Sequence, residues 1–178
     1  AGAPGMRQAG LAWFEAEGRP LAFRATVDPW AILVSEAMAQ QTQAARAAEA
    51  WGRFLAEFPP VESLAASTPA DVLRAWRGLG YNRRALSLRR AAMAIVGDHG
   101  GRVPNDLDAL QRLPGVGPYT ARAVAALAFG RRVGAVDTNV RRVLSRAVGG
   151  RLDAFDAAEV QAVADASVPA AGPGWWTH

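Results

Sequence analysis

Apolar positions recur along the chain at the three- and four-residue spacing of helices, and no segment keeps the every-second-residue alternation of a half-buried strand. Start and stop signals bound these apolar runs: Asp, Asn or Thr stands before them, often followed by Pro, and Gly follows them. The pattern predicts eight helices, at about 29–41, 43–58, 68–78, 83–98, 105–113, 118–129, 137–148 and 156–167. We found no internal repeat, so the sequence predicts an all-α fold with short connections.

The first of these helices is the most apolar. Asp28 is a suitable N-cap and Pro29 a suitable first helical residue. The positions from Trp30 to Met38 are apolar on nearly every face, which predicts a helix inside a domain. Before it, a Gly/Ala/Pro-rich tail leads into a short amphipathic stretch around Leu11 and Phe14.

Length and composition allow one domain, or one and part of a second. The chain has 178 residues, of which 51% are hydrophobic and 20% charged, so it can bury a core. No apolar run reaches the roughly 18 residues of a membrane span, and none is typical of a signal peptide.

Two residue types are missing altogether. The sequence has no cysteine, which excludes disulfides, a cysteine nucleophile and thiolate ligands for zinc or an iron–sulfur cluster. It also has no lysine, which excludes Schiff-base chemistry through a lysine amine. His99 and His178 are too few for a zinc site built on histidine alone.

The positive charge is concentrated in two segments. Val72–Gly97 contains six arginines and no acid, and Arg131–Arg151 contains six arginines with Asp137 as its only acid. These segments carry +6 and +5, so the remainder carries −7 within a net charge of +4. This asymmetry indicates a phosphate-binding face, and arginine replacing lysine on a solvated surface is the alternative explanation.

A short turn between two predicted helices is the first candidate site. In Leu113-Pro114-Gly115-Val116-Gly117, two glycines two residues apart permit a sharp turn and a close backbone approach. The amides of the turn and of the next helix N-terminus can bind an anion. This is the form of a helix-hairpin-helix motif, which grips a DNA phosphate without recognising sequence, although an ordinary turn has the same composition.

The second candidate is Glu36, inside the apolar helix. Ile32 and Leu33 lie one turn before it, so burial should raise its pKa and keep it protonated near neutral pH, as a general acid requires. A salt-bridged structural glutamate is the competing explanation. The amide-rich segment Gln40–Gln43 ends this helix and could cap it, probe a base edge or fill a gap in a stacked duplex.

The third candidate is Asp137, which follows the apolar run Val133–Val136 and precedes a helix. It could be an ordinary N-cap. It could also be a carboxylate that helix N-terminal amides keep ionised. Paired with a protonated Glu36, it would supply the acid and the carboxylate that break glycosidic bonds through an oxocarbenium-like state.

With these residues in view, the chain resembles the helix-hairpin-helix DNA glycosylases, and within them the MutY-type adenine glycosylases. The resemblance covers about residues 19–150. It rests on Ser35-Glu36-Ala37-Met38, Gln40-Gln41-Thr42-Gln43, Gly78-Leu79-Gly80-Tyr81, Leu113-Pro114-Gly115-Val116-Gly117 and Val136-Asp137-Thr138-Asn139-Val140-Arg141-Arg142.

The resemblance implies a base-excision repair enzyme that releases adenine opposite 8-oxoguanine or guanine. Glu36 would protonate adenine at N7 and help position the attacking water, and Asp137 would stabilise the sugar cation or its covalent successor. Tyr119 stands where bifunctional relatives such as endonuclease III carry their Schiff-base lysine. Asn139 would support the carboxylates. The enzyme would therefore be monofunctional, without β-lyase activity.

The resemblance also implies DNA-contacting residues. Gln41 and Tyr81 would enter the duplex around the extruded adenine and its partner. Three residues would fall near the adenine pocket: Arg19, Leu21 and Trp30. Other residues expected at the DNA or the base are Gln40, Thr42, Leu113, Gly115, Val116 and Gly117.

The implied architecture is a six-helix, barrel-like domain with part of a second helical domain formed by the chain ends. We expect residues 28–135 to form the first, with the helix-hairpin-helix motif at about 106–129. Residues 136–178 would form the partial second domain and carry Asp137, with residues 1–27 packing against it. Family members usually continue through a four-cysteine iron–sulfur loop and a domain that recognises 8-oxoguanine, whereas this chain stops at Trp175-Trp176-Thr177-His178.

The sequence is therefore expected to be a fragment or a truncated gene product that binds no cofactor and no metal. The expected partner is double-stranded DNA containing A·8-oxoguanine or A·G mispairs, and no membrane. We expect a bacterial, cytoplasmic, nucleoid-associated monomer. Two alternatives remain: a thymine glycosylase of the same fold acting on T·G mispairs, and a non-catalytic DNA-binding fragment.

Overall fold

The computed structural model describes residues 3–18, 20–151 and 154–169, and within these ranges the regular structure is helical, without a strand. The helices are α1 (Ala3–Glu17), a 3₁₀-helix (Ala22–Ala25), α2 (Pro29–Ala39), α3 (Ala44–Glu57), α4 (Val61–Ala66), α5 (Pro69–Ala75), α6 (Arg83–His99), α7 (Leu107–Arg112), α8 (Pro118–Phe129), α9 (Thr138–Ala147) and α10 (Ala157–Ser167). The all-α prediction is confirmed. None of these helices is long and apolar enough to cross a membrane.

Helix α2 lies at the centre of the fold and packs against α3, α6 and α8. Asp28 caps it, because its side chain accepts a hydrogen bond of 3.0 Å from the Trp30 amide. The side chains of Ile32, Leu33 and Val34 are almost fully buried. A helix with no solvent-facing side is the physical reason for the unbroken apolar run in the sequence.

The main hydrophobic core extends from α2 through α8. Its largest fully buried side chains include Trp76 and Phe54, whose rings meet edge to face at 5.8 Å. A smaller apolar cluster of Leu144, Val160 and Ala164 joins α9 to α10. The division of the chain at residues 27/28 and 135/136 stays a prediction.

Several elements differ from the sequence prediction. The amphipathic stretch near the N-terminus is a 15-residue helix, α1. The prediction missed α4, which has six residues and begins after Pro60 without a side-chain cap. Asp106, rather than Asn105, caps α7, since its carboxylate accepts a 2.9 Å bond from the Ala109 amide. The terminal motif at 175–178 lies outside the described residues.

Candidate active site and nucleic-acid interface

An open cleft of about 1230 Å³ collects most of the candidate residues. Its walls come from the segment at 21–24, the second half of α2 and the turn after it, residues 81–91, the hairpin at 114–116, the start of α8, and residues 137 and 139. Glu36, Tyr119 and Asp137 come from three different elements and line this one space. Glu36 and Asp137, which are 101 positions apart in the sequence, therefore line a common cleft.

Glu36 lies in the last turns of α2 and is only 7% exposed. Burial, reinforced by the negative charge of Asp137, raises the pKa of Glu36 from 4.5 to about 7. No hydrogen bond or ion pair to this carboxyl occurs within the described ranges, so it has no fixed partner that would hold it ionised. The geometry therefore favours an acid that is available to the cleft over a salt-bridged structural glutamate.

Asp137 is the N-cap of α9. One carboxylate oxygen accepts a 2.7 Å hydrogen bond from the Val140 amide, and the other accepts a 3.3 Å bond from the Asn139 side-chain nitrogen. The helix N-terminus favours a negative charge at this position. The capping role and the candidate chemical role therefore coexist, because a cap in the cleft wall also presents its charge to Glu36 and Tyr119.

Tyr119 is the second residue of α8 and is half-buried. Burial, together with the charges of Glu36 and Asp137, raises the pKa of Tyr119 above its ordinary range. Its hydroxyl therefore stays protonated at neutral pH and can donate one hydrogen bond while accepting others.

The hairpin between α7 and α8 has the form expected from its glycines. Gly115 has a φ of +82°, and a Cβ there would lie 2.7 Å from the Cβ of Ser87, so this position needs glycine for both reasons. Leu113 and Val116 are buried and anchor the turn in the core, whereas Gly117 is the N-cap of α8. Gly117 supplies no side-chain cap and the first amides of an α-helix lack intrahelical acceptors, so the start of α8 can bind an anion.

The polar turn after α2 contributes Gln40 and Gln41 to the cleft wall, whereas Thr42 does not line the cleft. Gln40 extends toward α8, where its amide nitrogen donates a 3.3 Å bond to the Thr120 hydroxyl. The Thr42 hydroxyl donates to the Gln40 carbonyl at 3.3 Å. Gln41 is exposed and has a φ of +53°, which is unusual for a residue with a side chain.

Tyr81 occupies a second turn that borders the cleft. Its side chain is among the exposed large hydrophobic groups, at 62%, and its φ is +48°. Gln41 and Tyr81 are the non-glycine residues with positive φ in the described part of the chain. Both belong to the set expected to enter a duplex.

The three residues expected near the base pocket do not all lie at the cleft. Leu21 lines the cleft, but Trp30 lies in the main core at 5% exposure and does not line it. Phe23 and Arg24 line the cleft instead, and sequence reasoning missed them because nothing marks them except their proximity to Leu21. Arg19 lies outside the described residues.

The described residues form no recognisable metal site. Over the described ranges, no group of three or more His, Asp or Glu side chains could hold a metal ion. The sequence contains no cysteine, so it cannot supply the thiolates of an iron–sulfur cluster. The absence of a bound cofactor in the active protein stays a prediction.

Comparison with known proteins identifies relatives of this chain. The chain is 52% identical over 145 residues to an adenine DNA glycosylase of Mycobacterium tuberculosis, an alignment that covers 81% of this chain and 48% of that protein. It is 48% identical over 145 residues to an adenine DNA glycosylase of Mycolicibacterium smegmatis, covering 81% of this chain and 50% of the relative. The chain thus spans about half the length of these relatives.

A solved structure extends the likeness to the fold. The structure of a thermostable thymine-DNA glycosylase superposes with a TM-score of 0.92 at 28% identity, covering 98% of this chain and 82% of the other. Residues 34–162 also match the family described as HhH-GPD superfamily base excision DNA repair protein, a range that contains Glu36, the hairpin, Tyr119 and Asp137. The helix-hairpin-helix glycosylase fold predicted from the motifs is confirmed, and the chain belongs to the HhH-GPD superfamily of base excision DNA repair proteins.

Proposed function

We propose that this chain carries the catalytic site of a DNA glycosylase that hydrolyses the N-glycosidic bond of adenine opposite 8-oxoguanine or guanine. The observation that carries the proposal is the cleft in which Glu36, with a pKa of about 7, faces the charge of Asp137 and the hydroxyl of Tyr119. The substrate preference is supported by the adenine DNA glycosylases that align over most of the chain.

Glu36 supplies the proton. Loss of adenine requires the base to leave with an extra proton, because the departing nitrogen carries the bonding electron pair. A carboxylic acid whose pKa lies near the working pH has a large protonated fraction and still donates readily. After the base has left, the Glu36 carboxylate can accept a proton from the attacking water, which completes hydrolysis.

Asp137 supplies the stabilising negative charge. The sugar becomes positively charged as the glycosidic bond breaks, and an anion held in a half-buried site lowers the energy of that state. The hydrogen bonds from Val140 and Asn139 fix the carboxylate before the reaction begins, so little reorganisation is needed. Asn139 acts as a positioning residue in this scheme.

The reaction should stop at base removal. Strand cleavage by β-elimination proceeds through an amine that forms a Schiff base with the sugar. The sequence has no lysine. The family resemblance implies that Tyr119 stands where bifunctional relatives carry theirs. A tyrosine hydroxyl with a raised pKa forms no Schiff base, although it can hydrogen-bond to the sugar, the water or Glu36.

Access to the glycosidic bond requires the adenine to leave the helix. We propose that double-stranded DNA lies across the cleft, with the hairpin amides on a phosphate and the adenine extruded toward Glu36. Gln41 and Tyr81 would occupy the space that the extruded adenine leaves in the duplex. The exposed arginines Arg83 and Arg90 on α6 border the same cleft and supply positive charge for the backbone.

The test is base release from a duplex containing one A·8-oxoguanine pair. Abasic product should accumulate and should become a strand break only after a separate alkali step. Glu36→Gln should lose base release while still binding DNA, and Glu49→Gln, an exposed glutamate on α3, serves as the matched control. Strand breaks before alkali would refute the monofunctional assignment, and a Glu36→Gln variant as active as the parent would refute the acid role.

A second candidate is release of thymine from T·G mispairs. The superposition with a thermostable thymine-DNA glycosylase over 98% of this chain favours it, and Tyr119 is compatible with either base. A side-by-side assay on A·8-oxoguanine, A·G and T·G duplexes decides between the two. Salt-dependent binding with no base release from any of the three would instead identify a non-catalytic DNA-binding fragment.

A further inference from the structure

One arginine joins the two turns that carry Gln41 and Tyr81. Arg84 is the second residue of α6, and nothing in the sequence distinguishes it from the neighbouring arginines. On the α2 side, one terminal nitrogen donates to the carbonyl oxygens of Ala37 at 3.1 Å and Met38 at 3.2 Å, and also to that of Gln40. These carbonyls are at the C-terminal end of α2, where the helix has no further amides to satisfy them.

The second terminal nitrogen reaches the other turn. It donates to the carbonyl oxygens of Leu79 at 3.0 Å and Gly80 at 3.4 Å. It also donates to the Thr42 hydroxyl at 3.1 Å, so the guanidinium bridges segments more than 35 residues apart in sequence. The guanidinium carbon lies 5.3 Å from the centre of the Tyr81 ring, within the range of a cation–π contact.

These bonds leave the terminal nitrogens of Arg84 with little capacity to donate hydrogen bonds to a DNA phosphate. Each terminal nitrogen of an arginine has two hydrogens, and both nitrogens of Arg84 already donate to several protein oxygens. The neighbouring Arg83 is exposed and has no hydrogen bond of its side chain within the described residues. Arg83 is therefore suited to a phosphate, whereas Arg84 is suited to holding the protein.

Arg84 bonds to two turns whose backbone has an unfavourable conformation at Gln41 and at Tyr81. Gln41 and Tyr81 have φ values of +53° and +48°, a left-handed backbone conformation that residues with a side chain rarely adopt. Arg84 donates to the carbonyl oxygen of the residue directly before each of them, Gln40 and Gly80, and the Trp76 indole nitrogen donates a 3.1 Å bond to the same Gly80 oxygen. Arg84 is the half-buried side chain that bonds to both turns, so it links the conformations of Gln41 and Tyr81.

We propose that Arg84 is a positioning residue that joins the Gln41 and Tyr81 turns into a single rigid wedge, so that both side chains enter the duplex together and the target base is extruded. The inference rests on the proposed function, since it assigns a role in that function to residues away from the chemistry. Arg84 acts on extrusion, not on bond breaking.

The experiment measures extrusion apart from base release. The probe is a duplex in which 2-aminopurine, a fluorescent adenine analogue that brightens when unstacked, replaces the target adenine opposite 8-oxoguanine. The proteins are the parent, Arg84→Met, Gln41→Ala/Tyr81→Ala, and the triple variant combining all three changes. Arg53→Met is the charge-matched control, because Arg53 is exposed, pairs with Glu49 and lies outside the cleft.

We expect Arg84→Met to lower the extruded fraction at saturating protein at least tenfold, and Arg53→Met to change it less than twofold. Because Arg84 acts through the two turns, the triple variant should extrude no less than Gln41→Ala/Tyr81→Ala, within about twofold. A further tenfold loss in the triple variant would overturn the inference, and so would parent-like extrusion by Arg84→Met.

Folding is checked by circular dichroism. If Arg84→Met does not fold, Arg84→Lys takes its place, since a single ammonium keeps the charge but cannot span both turns as the planar fork does. It should fold and still lose extrusion. A parent that brightens the probe but releases no adenine would refute the proposed function and leave this inference standing, whereas a parent that never brightens it would overturn the inference.

Discussion

Burial gives Glu36 the protonation behaviour of an acid catalyst, and the same burial costs the protein stability when the group ionises. The pKa of Glu36 is about 7 in the folded chain and near 4.5 when the carboxyl is exposed. The folded state therefore holds the proton more tightly. The stabilisation from this carboxyl is complete below pH 4.5 and is lost as the pH rises toward and through 7.

The first prediction follows from that difference. Its size corresponds to about 3 kcal/mol between low pH and pH 8. Glu36→Gln, which cannot ionise, should therefore be more stable than the parent at pH 8, with the advantage shrinking toward pH 5. Urea unfolding at both pH values measures this. If the free energy of unfolding of the variant followed that of the parent across this pH range, the pKa of Glu36 would not differ between the folded and unfolded states.

The second prediction separates the two roles of Asp137. Asparagine is as good an N-cap as aspartate, so Asp137→Asn should keep α9 and change stability by less than about 1 kcal/mol. Base release should nevertheless fall by about 10² or more, since the stabilising anion is gone. The negative charge that helps raise the pKa of Glu36 also disappears, so the limb on which activity falls with rising pH should move to lower pH.

Single-turnover rates from pH 6 to 9 check this prediction. Asp106→Asn is the matched control, because Asp106 caps α7 with the same kind of bond but does not line the cleft. It should leave both the rate and the pH profile unchanged. If Asp137→Asn retained the parent's rate, the cap would be the whole role of Asp137.

At the scale of elements, the segment before Asp137 is fixed by α10. One Asp165 oxygen accepts hydrogen bonds from the Gly134 amide at 2.7 Å, the Arg122 guanidinium at 2.8 Å and the Gln161 amide at 3.1 Å. The Gly134 carbonyl in turn accepts a 2.9 Å bond from Gln161. The position of Asp137 in the cleft therefore depends on how closely α10 packs against this segment.

The third prediction tests that dependence. A Cβ on Gly134 would lie 2.8 Å from the Cβ of Ala164 and 2.9 Å from its backbone carbon, and backbone cannot move aside cheaply. Gly134→Ala should destabilise the fold by about 1–3 kcal/mol and lower base release by displacing Asp137. Gly52→Ala, inside α3 with open space at its Cβ, should instead stabilise by about 0.5–1 kcal/mol. Thermal unfolding compares them, and equal effects would contradict the packing argument.

Elements with strong local signals could be predicted from the sequence, and those fixed by tertiary contacts could not. Asp28, Pro29 and an unbroken apolar run predicted α2 and the burial of Glu36. Helix α4 has six residues and no side-chain cap, so its packing against α6 decides its conformation. The pairing of Asp28 with the Trp30 amide is local, whereas the assembly of the cleft is not.

The candidate site likewise contains residues with a local sequence signal and residues whose role depends on tertiary contacts. Glu36 and Asp137 could be identified because a carboxylate inside or next to an apolar run is unusual in sequence, whereas Tyr119 was identified only through the family resemblance. Arg84 gave no such signal: its role depends on partners in two distant turns. Trp30 was expected near the base pocket, but it is the second residue of the largely buried helix α2 and lies in the core.

At the scale of the whole molecule, charge rather than shape should dominate binding to undamaged DNA. The two arginine-rich segments carry +6 and +5 against −7 elsewhere, and Arg83 and Arg90 bring part of this charge to the cleft. Each phosphate that an arginine neutralises releases counterions. Affinity should therefore fall steeply as salt rises from about 50 to about 200 mM.

The fourth prediction counts those contacts. Changing Arg83 and Arg90 together to glutamine should make the slope of log affinity against log salt concentration about 2 less steep, since each lost phosphate contact contributes about 0.9. Fluorescence anisotropy with a labelled duplex measures the slope. Arg53→Gln removes a positive charge from α3, outside the cleft, and should leave the slope unchanged. Equal slopes for the parent and the double variant would show that DNA does not lie along α6, and the arginines of residues 131–151 would then be the next set to replace.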